Sequence, residues 1–223
     1  MNPKELIELA FSTDEYDDFI EDEHERHIRG GILKEFFYRN YRLENVIEVG
    51  CGSGSIMLEI PEIKYGIEPN ENRYKKFIQN INAGIIKVIP FERIAIEDFN
   101  NEGSNFDTIL CWGSFCYFRS QWESLIVFNK ILKLGGVLIF DVATKTNLPI
   151  AQTVHGDSFC NMLQQCFGFK IIERREFGEE FNKRLAIAAE KVEGFTYRKL
   201  QIPFLKKDGK IGNFLLERDW YLG

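Results

Sequence analysis

Apolar positions change their spacing repeatedly along this chain, and each change marks an element. In the first forty residues they fall at helical intervals: Tyr16, Phe19 and Ile20 share one face, and Ile28, Ile32 and Phe36 another. Ser12-Thr13-Asp14-Glu15 has the form of a capping box. Gly30-Gly31 lies between the two faces and costs about 1 kcal/mol per Gly relative to Ala, which predicts a joint there.

From Asn45 onward, β-branched runs alternate with helical patterns. Val46-Ile47-Glu48-Val49 reads as a strand entering Gly50-Cys51-Gly52-Ser53-Gly54, with a brief helix that must end near Pro61. Ile63 to Glu68 is a second strand. Asn70 then caps a helix whose face is Tyr74, Phe77, Ile78 and Ile81. Ile85 to Ile89 reads as strand three and Phe106 to Trp112 as strand four. Ser120-Gln121-Trp122-Glu123, a second capping box, opens a helix expected to stop at Gly135-Gly136. Val137 to Val142 is strand five, followed by a helix carrying Phe159, Leu163 and Cys166 that stops at Gly168. Phe169 to Phe177 and Arg184 to Lys191 form a hairpin through Gly178-Glu179-Glu180. A further hairpin is expected around Lys207-Asp208-Gly209-Lys210. Such alternation predicts an α/β, doubly wound parallel sheet with right-handed crossovers. Ligands then bind beyond the carboxyl ends of the strands, in the loops after strands one, two and four.

Composition narrows the class. With 223 residues, 44% hydrophobic and 28% charged, the chain is neither disordered nor fibrous. Its longest apolar run, Leu185 to Ala189, is far short of a membrane span, and Met1-Asn2-Pro3-Lys4-Glu5 lacks the features of a signal peptide. A cytoplasmic protein with no membrane partner is expected. Net charge is −6, but eight acids lie between Asp14 and Glu25 with no Lys or Arg, leaving the remainder at +2. That balance shows no basic face for a phosphate backbone, so no nucleic-acid partner is expected. The acidic run reads as a solvated helix face, or as part of a lid favouring a cationic amine. Cys51, Cys111, Cys116, Cys160 and Cys166 contain no C-x-x-C pair, which implies free thiols rather than zinc or disulfides. His24 and His27, a turn apart, do not by themselves make a metal site, and none is expected.

The chemistry concentrates after strand one. Glycines are needed where backbone approaches a ligand or takes positive φ, and the spacing here is G-x-G-x-G rather than the dinucleotide G-x-G-x-x-G. Glu48, just before the first glycine, repels a pyrophosphate and welcomes an ammonium group. Glu68, twenty residues later, can accept both hydroxyls of a ribose. A ligand with a cationic amino-acid end and an adenosine end matches both, and S-adenosyl-L-methionine is such a molecule.

From Asn45 to Lys191 the sequence resembles the class I S-adenosylmethionine-dependent methyltransferases. Val46 to Gly54 resembles the family's first motif, and Tyr65-Gly66-Ile67-Glu68-Pro69 its second, whose acid holds the ribose. Ala95-Ile96-Glu97-Asp98-Phe99 stands where the family lines the adenine. Phe106-Asp107-Thr108-Ile109-Leu110 resembles strand four, and Ile131 to Ile139 the approach to strand five. The resemblance implies a Rossmann-like seven-stranded sheet of order 3-2-1-4-5-7-6, with strand seven antiparallel. It also implies cofactor contacts from Glu48, Gly50, Cys51, Gly52, Gly54, Glu68, Pro69, Ile96, Glu97, Cys111 and Trp112. Residues 1–42 would form a helical lid, 43–193 the cofactor domain and 194–223 a hairpin extension.

The chain departs from the family twice. Ala95 stands where an acid often receives the adenine amino group, leaving that task to backbone at Ile96 or to Glu97 or Asp98. Tyr117 stands where many small-molecule members carry a His, and no Asn-Pro-Pro-Tyr or Asp-Pro-Pro-Tyr follows strand four. Tyr117 is therefore the candidate proton-handling residue, with Tyr16 and His155 behind it. The aromatic segment Trp112 to Phe118 can stabilise a sulfonium, clamp a flat acceptor, or fill core. The expected activity is methyl transfer to a small molecule. A non-catalytic cofactor-binding or partner subunit is the alternative, and an NAD-dependent dehydrogenase is disfavoured by the glycine spacing and Glu48.

Overall fold

The computed structural model describes residues 23–42, 44–100, 105–146, 152–179, 182–194, 201–205 and 211–215. The first capping box, Tyr16 and the Asp208-Gly209 turn lie outside the described residues, as do the side chains of His24 and His27.

Seven strands form one sheet in the order β3-β2-β1-β4-β5-β7-β6. They are β1 (Val46–Val49), β2 (Ile63–Ile67), β3 (Phe91–Glu92), β4 (Phe106–Cys111), β5 (Leu132–Thr146), β6 (Phe169–Glu179) and β7 (Asn182–Lys191). The first five pair in parallel, and β7 runs antiparallel between β5 and β6, as expected from the sequence. A separate antiparallel pair, β8 (Gln201–Leu205) with β9 (Ile211–Leu215), supplies the second hairpin.

Helices cover both faces of the sheet. On one lie α1 (Glu23–Asn40), α2 (Ser55–Glu59) and α3 (Glu71–Asn82). Leu33, Phe36, Phe37, Met57 and Phe77 pack there against Val46, Leu110, Val137 and Ile139. On the other, α4 (Gln121–Ile131) and α5 (Gly156–Cys166) bring Leu125, Phe128, Phe159 and Leu163 onto Ile47, Ile109, Leu138 and Phe140. The strands alternate residues between these two cores, as a sheet covered on both faces must. Two caps form as read: Asn70 Oδ1 accepts from Arg73 N at 3.0 Å, and Ser120 Oγ from Glu123 N at 3.2 Å.

Three local readings are corrected. The helix does not break at Gly30-Gly31: α1 runs unbroken from Glu23 to Asn40, and a Cβ at Gly31 would meet nothing within 4 Å. Strand three is not Ile85 to Ile89. The Ile85 and Ile86 amides are spent on the Asn80 carbonyl at the end of α3, and Ile85 and Val88 face solvent, so β3 begins only after Pro90. Helix α4 ends at Ile131 rather than Gly135-Gly136. Leu132 already pairs with Phe106, and the ladder slips between Phe106 and Thr108. Gly135, at φ 78°, allows the chain to make that bulge.

The direction of α1 is set by its contacts with β6. Glu35 pairs with Arg175, while Arg39 and Asn40 reach Glu173, two residues closer to the amino end of β6. Helix α1 therefore descends antiparallel to the β1–β5 strands and starts at their carboxyl edge. No described helix is long and apolar enough to cross a membrane.

Candidate functional site

The loop after β1 turns on three positive-φ glycines, Gly50, Gly52 and Gly54. Two are required by packing. A Cβ at Gly50 would sit 2.5 Å from Ser114, and one at Gly54 would sit 2.4 Å from Ile86 Cδ1 and 2.7 Å from Phe77. At Gly52, which is buried, an added Cβ would meet only Arg73 Nη1, at an ordinary contact distance of 3.6 Å, so packing does not require this glycine. The Gly50 and Cys51 amides both donate to the Ile67 carbonyl, at 2.9 and 3.2 Å, tying the loop to the end of β2.

Glu68 joins the same corner. Its Oε2 accepts from Gly52 N and its Oε1 from Asn70 N, both at 2.9 Å. Burial raises its carboxyl above the ordinary value, outweighing these amides and the nearby Arg73 charge. Each oxygen retains a lone pair for a further donor, so the carboxylate is placed to accept a diol.

Glu48 is the anomaly. Lying in β1 between β2 and β4, it is 1% exposed, and neither carboxylate oxygen has a hydrogen-bond partner. Burial first, then the Glu68 charge, push its carboxyl well above the ordinary range. A buried orphan acid costs stability unless a donor meets it. Trp112, just past β4 on the same sheet face, likewise has a buried Nε1 without a hydrogen-bond partner. Its ring stacks on Phe177, with centroids 5.4 Å apart at 13°.

The other expected contacts divide. Pro69 is exposed at the corner, and Ile96 is buried in the 3-10 turn Ile96–Asp98. The Glu97 carboxylate is already engaged, accepting from Ser120 N at 3.1 Å with Arg119 at 3.8 Å. Cys51 and Cys111 are buried thiols pushed well up by burial, with Sγ atoms 3.4 Å from the Ile67 carbonyl and Ser114 Oγ respectively. They are packing groups rather than nucleophiles.

Beyond β4, Ser114 Oγ donates to the Val49 carbonyl at 3.0 Å, so its hydroxyl is occupied. Tyr117 is half-buried on the turn that follows. Phe115 is fully buried among Phe118, Phe128, Phe140 and Phe159 and belongs to the core. His155 is exposed at the start of α5, with Nδ1 3.3 Å from Ser158 Oγ.

Sequence reasoning missed Asp141 and Arg184. Asp141, fully buried in β5, accepts from Gly113 N at 2.6 Å and pairs with Arg184 Nε. Arg184 Nη2 lies 3.8 Å from Cys116 Sγ. Burial alone would lower the Arg184 pKa, but the Asp141 charge holds it above its ordinary value. The available signal was an acid inside the apolar run of strand five and an arginine opening strand seven.

Known proteins bear on this geometry. A family model described as a methyltransferase domain matches residues 20–184. Curated relatives are a tRNA U34 carboxymethyltransferase of Campylobacter fetus, 29% identical over 126 residues, and one of Campylobacter jejuni, 32% identical over 131. The matches cover 55% of this chain and 44% and 43% of those proteins, so the chain spans less than half their length. Among solved structures, the N-methyltransferase NodS of Bradyrhizobium japonicum with S-adenosyl-L-homocysteine superposes with a TM-score of 0.67 at 16% identity. That match covers 86% of this chain and all of NodS. Magnesium protoporphyrin IX methyltransferase of Synechocystis with bound S-adenosylmethionine gives 0.65 at 14% identity, over 86% and 98%. The relatives overturn the exclusion of nucleic acid: each carries tRNA in its name, and a net charge of −6 on a partial match does not exclude such a partner.

Proposed function

The chain belongs to the S-adenosylmethionine-dependent methyltransferases, with S-adenosyl-L-methionine as cofactor, and from that premise we propose that it methylates a base of tRNA. The observation that carries the transfer reading is Glu48, a buried carboxylate whose two oxygens await a donor beside the glycine corner. The residues present fit the cofactor. Glu48 would meet its ammonium group and Glu68 its ribose hydroxyls, and Gly52, without a side chain, would allow its close approach. When bound, the cofactor supplies a methyl group on a sulfonium, already activated for displacement.

The chain's own share is orientation and exclusion of water, worth roughly 7–11 kcal/mol in favourable cases. Trp112 to Tyr117 form the wall against which an acceptor would lie. Tyr117 carries the phenolic hydroxyl of that wall, the group there suited to hand over a proton. Residues 1–42 are assigned as the lid, as the sequence led one to expect.

The tRNA acceptor is supported by the relatives and by exposed Lys145 and Lys183, which stand opposite one another at the carboxyl end of β5. A small cationic amine is the second reading, favoured by the acidic run from Asp14 to Glu25. Labelled methyl transfer from S-adenosylmethionine to total tRNA from a strain lacking the gene decides between them. Label in a nucleoside, identified by mass, supports tRNA. Label only in the metabolite fraction refutes it, and no S-adenosylhomocysteine in either assay marks a non-catalytic subunit. Tyr117→Phe is expected to lower turnover about a hundredfold with cofactor binding intact. Unchanged turnover returns Tyr117 to packing.

A further inference from the structure

The turn after β4 is held by a charge pair from the neighbouring strands β5 and β7. Phe140 pairs with Cys111, the last residue of β4. Asp141 is therefore level with Trp112, where the β4 ladder has ended. Its Oδ1 takes the Gly113 amide at 2.6 Å, continuing with a side chain what the backbone no longer provides. Gly113 has φ 75°, and an added Cβ there would meet nothing within 4 Å, so the chain turns at this amide beside open space.

Arg184 completes the brace. Its Nε donates to the second Asp141 oxygen, and its Nη2 reaches Cys116 Sγ, so one guanidinium touches both the anchor and the far end of the turn. From the other side, Gln152 N donates to the Cys116 carbonyl and Gln152 Nε2 to the Phe118 carbonyl, both at 3.0 Å. The pair is nearly solvent-free, with side chains 1% and 5% exposed. A pair so placed is often replaceable by apolar side chains without loss of stability. Stability alone does not account for it; what it uniquely does is aim one amide and one turn.

We propose that Asp141 and Arg184 are a positioning pair for methyl transfer, holding Gly113 to Cys116 so that Trp112 and Tyr117 present a fixed wall to the acceptor. The reaction assigned to that wall rests on the function proposed above; the bracing itself does not. Neither residue touches the reacting atoms, and both act through the turn.

The test is the double variant Asp141→Leu with Arg184→Met, which refills the volume without charge, beside Asp141→Asn, which leaves one oxygen for two donors. Both are compared with wild type in S-adenosylhomocysteine calorimetry, amide exchange and transfer to bulk tRNA. The double variant is expected to fold and to bind S-adenosylhomocysteine within about twofold of wild type. The amides of residues 113–117 are expected to exchange faster, and kcat to fall about a hundredfold, the scale set by misplacement of an otherwise intact site. Asp141→Asn moves the same quantities in the same direction. Wild-type exchange at 113–117, or wild-type kcat in a folded double variant, overturns the pairing role. If the double variant does not fold, Asp141→Asn decides on the same criteria. If wild type itself leaves tRNA unlabelled, the tRNA reading fails and the exchange measurement alone decides the pair.

Discussion

The two halves of the cleft solve opposite problems. On the β1–β2 side the polar groups are local and partly unsatisfied: Glu48 has no partner, Glu68 holds two amides with lone pairs to spare, and packing does not require Gly52. On the β4–β5–β7 side, the Trp112 indole nitrogen apart, charged and backbone groups satisfy one another over long separations. Gly113 reaches Asp141 across 28 positions, and Asp141 reaches Arg184 across 43. The first half is built to receive a charged ligand, and the second to hold a surface still.

The contrast is broken most severely at its hinge glycine. Gly54→Ala puts a Cβ within 2.7 Å of Phe77 and closer still to Ile86, at a backbone φ of 85°. Overpacking and left-handed strain together cost about 2–4 kcal/mol. Urea unfolding should show that loss, and a variant as stable as wild type would mean the loop is looser than described.

Glu68→Ala comes next. It removes the acceptor of Gly52 N and Asn70 N together with the partner of the ribose hydroxyls. Charge-assisted hydrogen bonds contribute about 1.5–3 kcal/mol each, so S-adenosylhomocysteine affinity should fall about a hundredfold or more by calorimetry. Full affinity in a folded variant would take Glu68 out of the cofactor site.

These two halves also differ in how far they were legible in advance. Glycines and acids at fixed offsets within one βαβ unit announce the cofactor corner, because the chemistry there is made by neighbours in sequence. Sheet order and the pairing of β7 were likewise expected from the resemblance and are found. The Asp141–Arg184 pair was not legible, since it depends on the register of β7 on β5, which sets Ala143 opposite Arg184. The Ile85–Ile89 reading failed for a related reason. Its apolar, β-branched run suits a strand, but the Asn80 carbonyl captures its first amides. Glu97 looked available for a ligand in sequence and is engaged by Ser120 in space.

Glu48→Gln sharpens the receptive side through pH. Burial holds the Glu48 carboxyl well above the ordinary value, so the folded ligand-free protein keeps a proton that the unfolded chain releases. Stability of that state therefore falls as pH rises from the ordinary carboxyl range toward the raised value. Gln cannot ionise, so Glu48→Gln should flatten this slope and melt higher than wild type at neutral to alkaline pH without cofactor. Glu68 is raised in the same direction and is coupled to Glu48, so the difference between the two proteins reads Glu48 together with that coupling. The same variant should bind S-adenosylhomocysteine at least about tenfold more weakly, having lost a charge-assisted contact. Identical melting profiles would mean that Glu48 meets a donor in the free protein.

The smallest effect expected is at Gly31, and it bears on whether the lid bends within α1. The sequence pointed to a joint at Gly30-Gly31, whereas the helix is continuous from Glu23 to Asn40. Leu33, Phe36 and Phe37 anchor its lower part in the core shared with Trp112 and Cys51. Gly31 is exposed, has no positive φ, and leaves open space at its Cβ position, so Ala fits without strain. Gly31→Ala should then stabilise the protein by about 0.5–1 kcal/mol, mostly by restricting the unfolded chain. Turnover should be unchanged, because a helix that moves as one piece has no use for a flexible residue there. A variant that is more stable but slower would restore the joint at Gly30-Gly31.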